Sequence, residues 1–177
     1  MHDVKGDLFD AVGNGDALCL TTNGHINTRG QCVMGRGCAR QAVEKWPQIN
    51  KLLANRIRMH GNIVNHIINI NGTAIYSFPV KPEFEIVNKD KTNVVKHMRG
   101  HADVGSRIAG WAAVAKLEII LKSAHQLVQI ADTLNYKTIA IPRPGCGAGG
   151  LEWDYVKPYI ESIFDDRFWV VGYITDS

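Results

Sequence analysis

A glycine-rich loop near the end of the chain is the sequence feature that most constrains the fold. Residues 141–151 read Ile-Pro-Arg-Pro-Gly-Cys-Gly-Ala-Gly-Gly-Leu, with four glycines between positions 145 and 150. The apolar run 138–142 predicts a strand before this loop, and the pattern of 154–164 predicts a helix after it, with Pro158 in its first turn. This order indicates an α/β fold in which the loop N–H groups and a helix amino end can hold a phosphate. A simple strand-to-helix turn is the alternative, although such a turn rarely needs four glycines.

The same loop contains the spacing Gly-x-Gly-x-x-Gly at Gly145, Gly147 and Gly150. In a dinucleotide-binding Rossmann domain this spacing opens a long series of strands and helices, with an acidic residue on the next strand. Here only one predicted helix and one predicted strand follow the loop. The sequence therefore argues against a Rossmann domain.

Another glycine-rich loop, at residues 21–37, leaves the first strongly apolar strand and leads into a predicted helix. In chain order, 21–37 is the first glycine loop and 141–151 is the second. Gly30 and Gly35 have the spacing of a P-loop, but Arg36 and Gly37 stand where a P-loop has the lysine and the Ser/Thr that hold phosphate and magnesium. This replacement argues against an NTPase. Asn23, just past the end of the strand, is placed either to hydrogen-bond a sugar hydroxyl or to close a turn.

Each of the two glycine loops follows a strand. In open α/β sheets, ligands bind beyond the carboxyl ends of the strands. Two such loops at that edge predict a ligand with two phosphates, or with one phosphate and a sugar.

The remaining hydrophobic patterns alternate between strands and helices. They predict strands at 17–21, 73–78 (ended by Pro79), 138–142 and 168–174, and helices within 33–46 and at 47–59, 106–134 (capped by Ser106) and 154–164. The polar segment 80–105 is predicted to be an irregular insertion or a mobile flap. Alternating strands and helices imply a mostly parallel sheet covered on both faces, in a single domain over 1–177.

Composition narrows the classes of function. The formal net charge of +3 permits a phosphate-bearing partner without demanding one. The four cysteines show neither a C-x-x-C pair nor a zinc-ligand spacing, so we expect no metal and no cofactor. We expect a cytoplasmic protein without a membrane partner, because no apolar run is long enough to span a bilayer and no signal-peptide pattern is present.

The densest basic stretch lies at 81–107, where lysines and arginines are interspersed with acidic residues. A solvated loop is one interpretation of this pattern. A patch that binds nucleic acid is the other.

These motifs resemble those of the macro domain, an ADP-ribose-binding family, over nearly the whole chain. Gly6-Asp7 resembles the pair whose carboxylate accepts from the adenine amino group, and Tyr173 resembles the aromatic residue that flanks adenine. The first glycine loop is similar to the one around the distal ribose and diphosphate, and the second is similar to the one that cradles the diphosphate. The resemblance implies a three-layer α/β/α fold with a mixed, mostly parallel sheet. The ligand-binding residues that it implies are Asp7, Leu8, Asn23, Met34, Gly35, Arg36, Gly37, Pro144, Gly145, Cys146, Gly147, Ala148, Gly149, Gly150, Leu151 and Tyr173.

Within that family, Met-Gly-Arg-Gly at 34–37 and Gly-Cys-Gly at 145–147 resemble the branch of the terminal ADP-ribose glycohydrolase and the antitoxin glycohydrolases that remove ADP-ribose from DNA. The branch is also similar to the yeast-type ADP-ribose 1″-phosphate phosphatases. Lys81 stands where these glycohydrolases have a catalytic lysine that attacks the distal ribose. The terminal-ADP-ribose enzyme also has an acidic residue in its second loop, where this chain has Ala-Gly-Gly at 148–150.

Four functions are therefore open at the level of sequence. The first is a hydrolase that releases ADP-ribose from a modified protein, nucleic acid or small molecule, with Lys81 as nucleophile or electrostatic group. The second is an ADP-ribose 1″-phosphate phosphatase with His25, His101 or Asp103 near a water. The third is a non-catalytic reader of ADP-ribose, and the fourth is a nucleic-acid-binding module.

Overall fold

A six-stranded sheet with the order β1-β8-β7-β2-β4-β3 forms the centre of the molecule. The computed structural model describes residues 1–174, so the last three residues of the predicted domain lie outside the described residues. The strands are β1 (His2–Lys5), β2 (Ala17–Thr22), β3 (Asn65–Ile70), β4 (Thr73–Pro79), β5 (Phe84–Ile86), β6 (Arg107–Ala109), β7 (Ile139–Pro142) and β8 (Phe168–Gly172). The helices are α1 (Gly37–Lys45), α2 (Ile49–His60), α3 (Leu117–Leu134) and α4 (Trp153–Glu161). Neighbouring strands of the large sheet are parallel, except that β3 runs antiparallel to β4.

Strand β2 shows why the sheet is covered on both faces. Its side chains are almost all buried, and alternate residues enter two different apolar cores. Cys19 packs in the core formed with α3 and α4, whereas Leu18 and Leu20 pack in the core formed with α1 and α2. The predicted three-layer α/β/α fold with a mixed, mostly parallel sheet is therefore confirmed.

The helix predicted at 106–134 begins only at Leu117, so the first part of this prediction is wrong. Residues 107–109 form β6, which pairs with β5, and a short 3-10 turn follows at Gly110–Ala112. Ser106 caps no helix, because its hydroxyl donates to the carbonyl of Asp103 at 2.6 Å. Apolar residues before α3 happen to follow helical spacing, but this stretch is held by pairing to a strand distant in sequence.

The segment 80–105 is also more regular than predicted. It contains β5 and a 3-10 turn at Lys96–His101, and Val87, Val94 and Ala102 form a small buried cluster. The sequence signal is weak because these elements are short and their core contains few side chains. This segment and β6 together form a substructure beside the carboxyl edge of the large sheet.

Two smaller differences concern boundaries and missed strands. Pro158 lies inside α4 rather than in its first turn, because the helix already begins at Trp153. Strands β1 and β3 were not predicted from the sequence, and both lie at the edges of the sheet.

No helix within residues 1–174 is long and apolar enough to cross a membrane.

Candidate functional site

The loops that follow β2, β4, β7 and β8 meet at the carboxyl edge of the sheet and enclose a cavity of about 950 Å³. Both glycine loops contribute to its wall, as does the substructure formed by 80–109. From β8 to β4 the sheet order crosses three strand-to-strand steps, which together span ~14 Å. The cavity is therefore long enough for an extended ligand whose two ends lie on different strands.

The second glycine loop is built on left-handed backbone conformations. Gly145, Gly147 and Gly150 have φ values of 76°, 66° and 79°, which residues with a side chain rarely adopt. A Cβ on Gly145 would lie 2.7 Å from Ile120 Cδ1, so this glycine is also needed for close packing on α3. A Cβ on Gly147 would meet no atom within 4 Å. Gly147 therefore lines open space, and the loop backbone there is accessible to a ligand.

The first glycine loop is closed by Asn23. Its side-chain amide donates to the carbonyl of Val33 at 2.9 Å and its side-chain oxygen accepts from the N–H of His25 at 2.9 Å. Of the two roles considered for Asn23, the structure shows the turn-closing one. Residues 34–37 then line the cavity, and Gly37, with φ of 56°, starts α1.

Lys81 lies at the β4 end of the cavity and is only 8% exposed. Its amine nitrogen donates to the carbonyl oxygens of Trp111 and Ala148, each at 3.0 Å. Burial, assisted by the positive charge of Arg36, lowers the pKa of Lys81 to about 8. About half of Lys81 is therefore a neutral amine at mildly alkaline pH near this value, and a smaller fraction is neutral at pH 7.

Three basic side chains share this end of the cavity. Arg36 comes from the first glycine loop, Lys81 from the loop after β4 and His97 from the 3-10 turn of the substructure. Desolvation and the charges of Arg36 and Lys81 lower the pKa of His97. The cluster attracts an anionic group placed between these side chains.

The opposite end of the cavity lies at the carboxyl end of β8. Tyr173 lines it and donates from its hydroxyl to the side chain of Gln41 at 3.2 Å. Arg143 lines the same end and bonds Asp3 at 3.2 Å. A Cβ on Gly172 would lie 2.7 Å from the guanidinium carbon of Arg143, so the guanidinium occupies the space beside this glycine.

Three of the proposed ligand-binding residues do not lie in the wall of the cavity as the structure describes it. Asp7 caps the 3-10 turn Leu8–Ala11 by accepting from the N–H of Phe9 at 2.9 Å. Leu8 is buried in the core, and the carbonyl of Pro144 accepts from the thiol of Cys146. Asp7 still lies next to the Tyr173 end, because the N–H of the preceding Gly6 donates to the carbonyl of Gly172.

The histidines and the aspartate considered for a phosphatase also lie away from this wall. His25, His101 and Asp103 are described by the structure and none of them lines the cavity. His97 lines the cavity, but the sequence did not predict it as a site residue, because a histidine in a short 3-10 turn belongs to no motif.

Trp111 also lines the cavity. Arg143 lines the cavity too, although it was not predicted to bind the ligand. Its position within the glycine-loop motif, directly after β7, could have identified it. Across residues 1–174 no group of three or more His, Cys, Asp or Glu side chains could hold a metal ion.

Several solved structures share this fold. The macrodomain of Mycobacterium tuberculosis DarG is 23% identical, with a TM-score of 0.64 over 97% of this chain and 98% of that one. The macrodomain of Thermus aquaticus DarG is 22% identical, with a TM-score of 0.61 over 97% of this chain and 96% of that one. Thermosipho africanus DarTG in complex with ADP-ribose is 16% identical, with a TM-score of 0.62 over 100% of this chain and 43% of that one. No protein-family model matches the chain, and no curated protein sequence is similar to it.

Proposed function

We propose that this chain, which has the macrodomain fold, binds ADP-ribose in the cavity at the carboxyl edge of its sheet. The observation that carries the proposal is that two glycine loops, one after β2 and one after β7, line a single elongated cavity. Backbone N–H groups in such loops hold phosphate oxygens without needing a cation. The ADP-ribose complex of the structurally similar Thermosipho africanus DarTG supports the same ligand.

The two ends of the cavity differ in chemistry, and this difference sets the direction of the ligand. Tyr173 gives the β8 end an aromatic ring, with the Asp7 carboxylate close by, which suits a base that has an amino group. Lys81 and Trp111 give the β4 end an amine and an indole, and the distal ribose is placed there. The diphosphate then lies between 34–37 and 145–150, next to the backbone of both loops.

We further propose that the bound ADP-ribose derivative is hydrolysed at the distal ribose, with Lys81 as the nucleophile. A neutral amine has two N–H bonds and one lone pair. Both N–H bonds of Lys81 can be donated to Trp111 and Ala148, which leaves the lone pair for the anomeric carbon. The amine forms a C–N bond to the anomeric carbon as the bond to the leaving group breaks, and the proton lost by the new ammonium goes to the leaving group. Water then adds its oxygen to the anomeric carbon and returns a proton to the nitrogen as the C–N bond breaks, which releases ADP-ribose and restores the amine.

A phosphatase acting on ADP-ribose 1″-phosphate is the second candidate, favoured by the cluster of Arg36, Lys81 and His97. The Arg36 guanidinium, with Lys81 and His97 in their protonated forms, would bind the additional phosphate beside the distal ribose. The product separates the two activities, because a glycohydrolase releases ADP-ribose from a macromolecule whereas the phosphatase releases inorganic phosphate.

A panel of substrates tests the proposal. ADP-ribosylated protein, DNA and RNA and ADP-ribose 1″-phosphate are each incubated with the wild-type chain and with Lys81→Ala. Release of ADP-ribose from the modified protein, DNA or RNA that Lys81→Ala abolishes supports the glycohydrolase, whereas release of inorganic phosphate from ADP-ribose 1″-phosphate supports the phosphatase. Tight binding of ADP-ribose without turnover of any substrate would instead identify a reader, and binding of plain oligonucleotides without competition by ADP-ribose would identify a nucleic-acid module.

A further inference from the structure

The backbone that carries Lys81 is held by hydrogen bonds from several separate parts of the chain. The four carbonyl groups at positions 79–82 each accept a hydrogen bond from a different part of the chain. Their donors are, in order, the hydroxyl of Ser123 (2.8 Å), the N–H of Lys116 (2.9 Å), the side-chain amide of Asn62 (3.0 Å) and the N–H of Gly24 (3.2 Å). The N–H groups of Val80 and Lys81 both donate to the carbonyl of Thr22. Among residues 1–174, Ser123 and Asn62 are the two that hold this segment through their side chains.

Ser123 is a hydroxyl in an otherwise apolar helix face. It is 2% exposed and lies on α3 between Ile120, Ala124 and Leu127, all fully buried. An apolar residue of similar size would pack there without a hydrogen-bond requirement. Its hydroxyl donates to the carbonyl of Pro79, two residues before Lys81.

Asn62 is similarly hard to explain by packing. Its amide nitrogen donates to the carbonyl of Lys81, but its oxygen is buried and has no hydrogen-bond partner among the described residues. A buried acceptor without a partner destabilises a fold. A Cβ on Gly24 would lie 2.8 Å from the amide carbon of Asn62, and Gly24 does not have a positive φ. Gly24 therefore leaves room for this amide, and the surrounding chain is shaped around it.

We infer that Asn62 and Ser123 are positioning residues, which hold the peptide of Lys81 so that its amine nitrogen stays between the carbonyls of Trp111 and Ala148 and at the wall of the cavity. The inference rests on the proposed role of Lys81 for its importance in catalysis. The geometry of the amine can be tested without any substrate. Loss of either side chain frees one of the carbonyls at 79–82 and gives the amine more contact with water.

The first readout is the titration of Lys81 itself. The charged or titratable side chains that interact with its amine are Arg36, before α1, and His97, in the turn Lys96–His101. Asn62→Ala and Ser123→Ala leave both of them in place. Any change in the pKa of Lys81 in these variants therefore reports on its solvation and position.

The experiment is competitive labelling of amines with trace acetic anhydride across neutral to alkaline pH, followed by mass spectrometry of the Lys81 peptide. In the wild-type chain we expect half-maximal labelling at the lowered pKa of about 8. In Asn62→Ala and in Ser123→Ala we expect the midpoint to rise by roughly one pH unit toward that of a solvated lysine. The two variants affect different segments, so each tests the inference by itself.

Thr73→Val is the matched control. Thr73 is fully buried at the opposite end of β4, and its hydroxyl donates to the carbonyl of Gly15 at 2.8 Å. This variant loses a buried hydroxyl as Ser123→Ala does, but it does not touch the Lys81 segment. We expect its Lys81 midpoint to equal that of the wild type.

Turnover provides the second readout. On a substrate that the wild-type chain hydrolyses, we expect kcat to fall by about ten- to a hundredfold in both variants while the Kd for ADP-ribose stays unchanged. An unchanged labelling midpoint in both folded variants, or an equal shift in Thr73→Val, overturns the inference. Failure of the chain to bind ADP-ribose would overturn the proposed function but would leave the labelling result standing.

Discussion

The amine nitrogen of Lys81 lies 3.0 Å from the carbonyl oxygen of Ala148, a residue 67 positions later in the chain. This hydrogen bond joins the loop after β4 to the glycine loop after β7. It therefore connects the group proposed for chemistry with the backbone proposed to hold the diphosphate.

The first prediction concerns Lys81 itself. Lys81→Met keeps an unbranched side chain of similar length but has no amine. We expect this variant to bind ADP-ribose and to lose turnover by about a hundredfold or more, because the nucleophile is absent. Lys122→Met, which changes an exposed lysine on α3, is the control and should behave as the wild type. Turnover is measured as ADP-ribose released, and unchanged turnover in Lys81→Met would remove Lys81 from the mechanism.

The pH dependence of turnover follows from the lowered pKa of Lys81. Only the neutral amine is a nucleophile, so kcat should rise with pH and level off above about 8. A rate that is flat from acidic to alkaline pH would contradict the nucleophilic role. The measurement is kcat at saturating substrate over a pH series, with the fold checked by circular dichroism at each pH.

The free energy of unfolding should also depend on pH through Lys81, because folding changes the pKa of this amine. The pKa of Lys81 is about 8 in the folded chain, below the ordinary value of 10.5 that it regains on unfolding. Between these two pH values the unfolded chain binds the extra proton, so the free energy of unfolding rises with pH. Relative to Lys81→Met, the wild type should gain at most ~3 kcal/mol across this window. Urea unfolding at several pH values measures the difference, and a difference that is constant with pH would contradict a lowered pKa.

The glycine loops allow a test that separates binding from folding. Gly35 has an ordinary φ and a Cβ there would meet no atom within 4 Å, so Gly35→Ala causes neither strain nor a clash in the unliganded protein. We expect stability to stay within about 0.5 kcal/mol of the wild type. Affinity for ADP-ribose should fall about tenfold or more, because the methyl group occupies the space where the diphosphate approaches the backbone.

Gly100→Ala is the control for that substitution. Gly100 is also exposed, has no positive φ and has no atom within 4 Å of an ideal Cβ, but it does not line the cavity. Its affinity for ADP-ribose should not change. Equal affinities in Gly35→Ala and Gly100→Ala, measured by calorimetry, would move the ligand away from the first glycine loop.

The base end of the cavity is tested by Asp7→Asn. Asparagine keeps the oxygen that accepts from the N–H of Phe9, so the cap and the stability should be retained. The carboxylate charge is lost, and ADP-ribose should bind less tightly if this group accepts from the adenine amino group. Competition between ADP-ribose and its inosine analogue, which lacks that amino group, shows whether the preference for adenine disappears. An unchanged preference would place Asp7 outside the binding site.

The sequence predicted those parts of the fold that are specified locally. Strands β2, β4 and β7 are short apolar runs, and the first and last of them end in glycine-rich loops whose backbone geometry requires glycine. The two walls of the cavity could be predicted for this reason.

The parts that could not be predicted depend on contacts distant in sequence. Strand β6 is three residues long and exists because it pairs with β5, while the residues that follow it have helical spacing. The partners of Lys81 belong to the same class, since Trp111, Ala148 and Asn62 reach it from three separate segments. A sequence pattern marks the lysine but not the groups that fix it.

Calorimetric titration of the chain with ADP-ribose, with AMP as the reference ligand, tests the central proposal most directly. A cavity that uses both glycine loops and the Lys81 end should bind ADP-ribose with a micromolar Kd and AMP much more weakly, because AMP has one phosphate and no distal ribose. Absence of ADP-ribose binding, or equal affinities for the two ligands, would contradict the account.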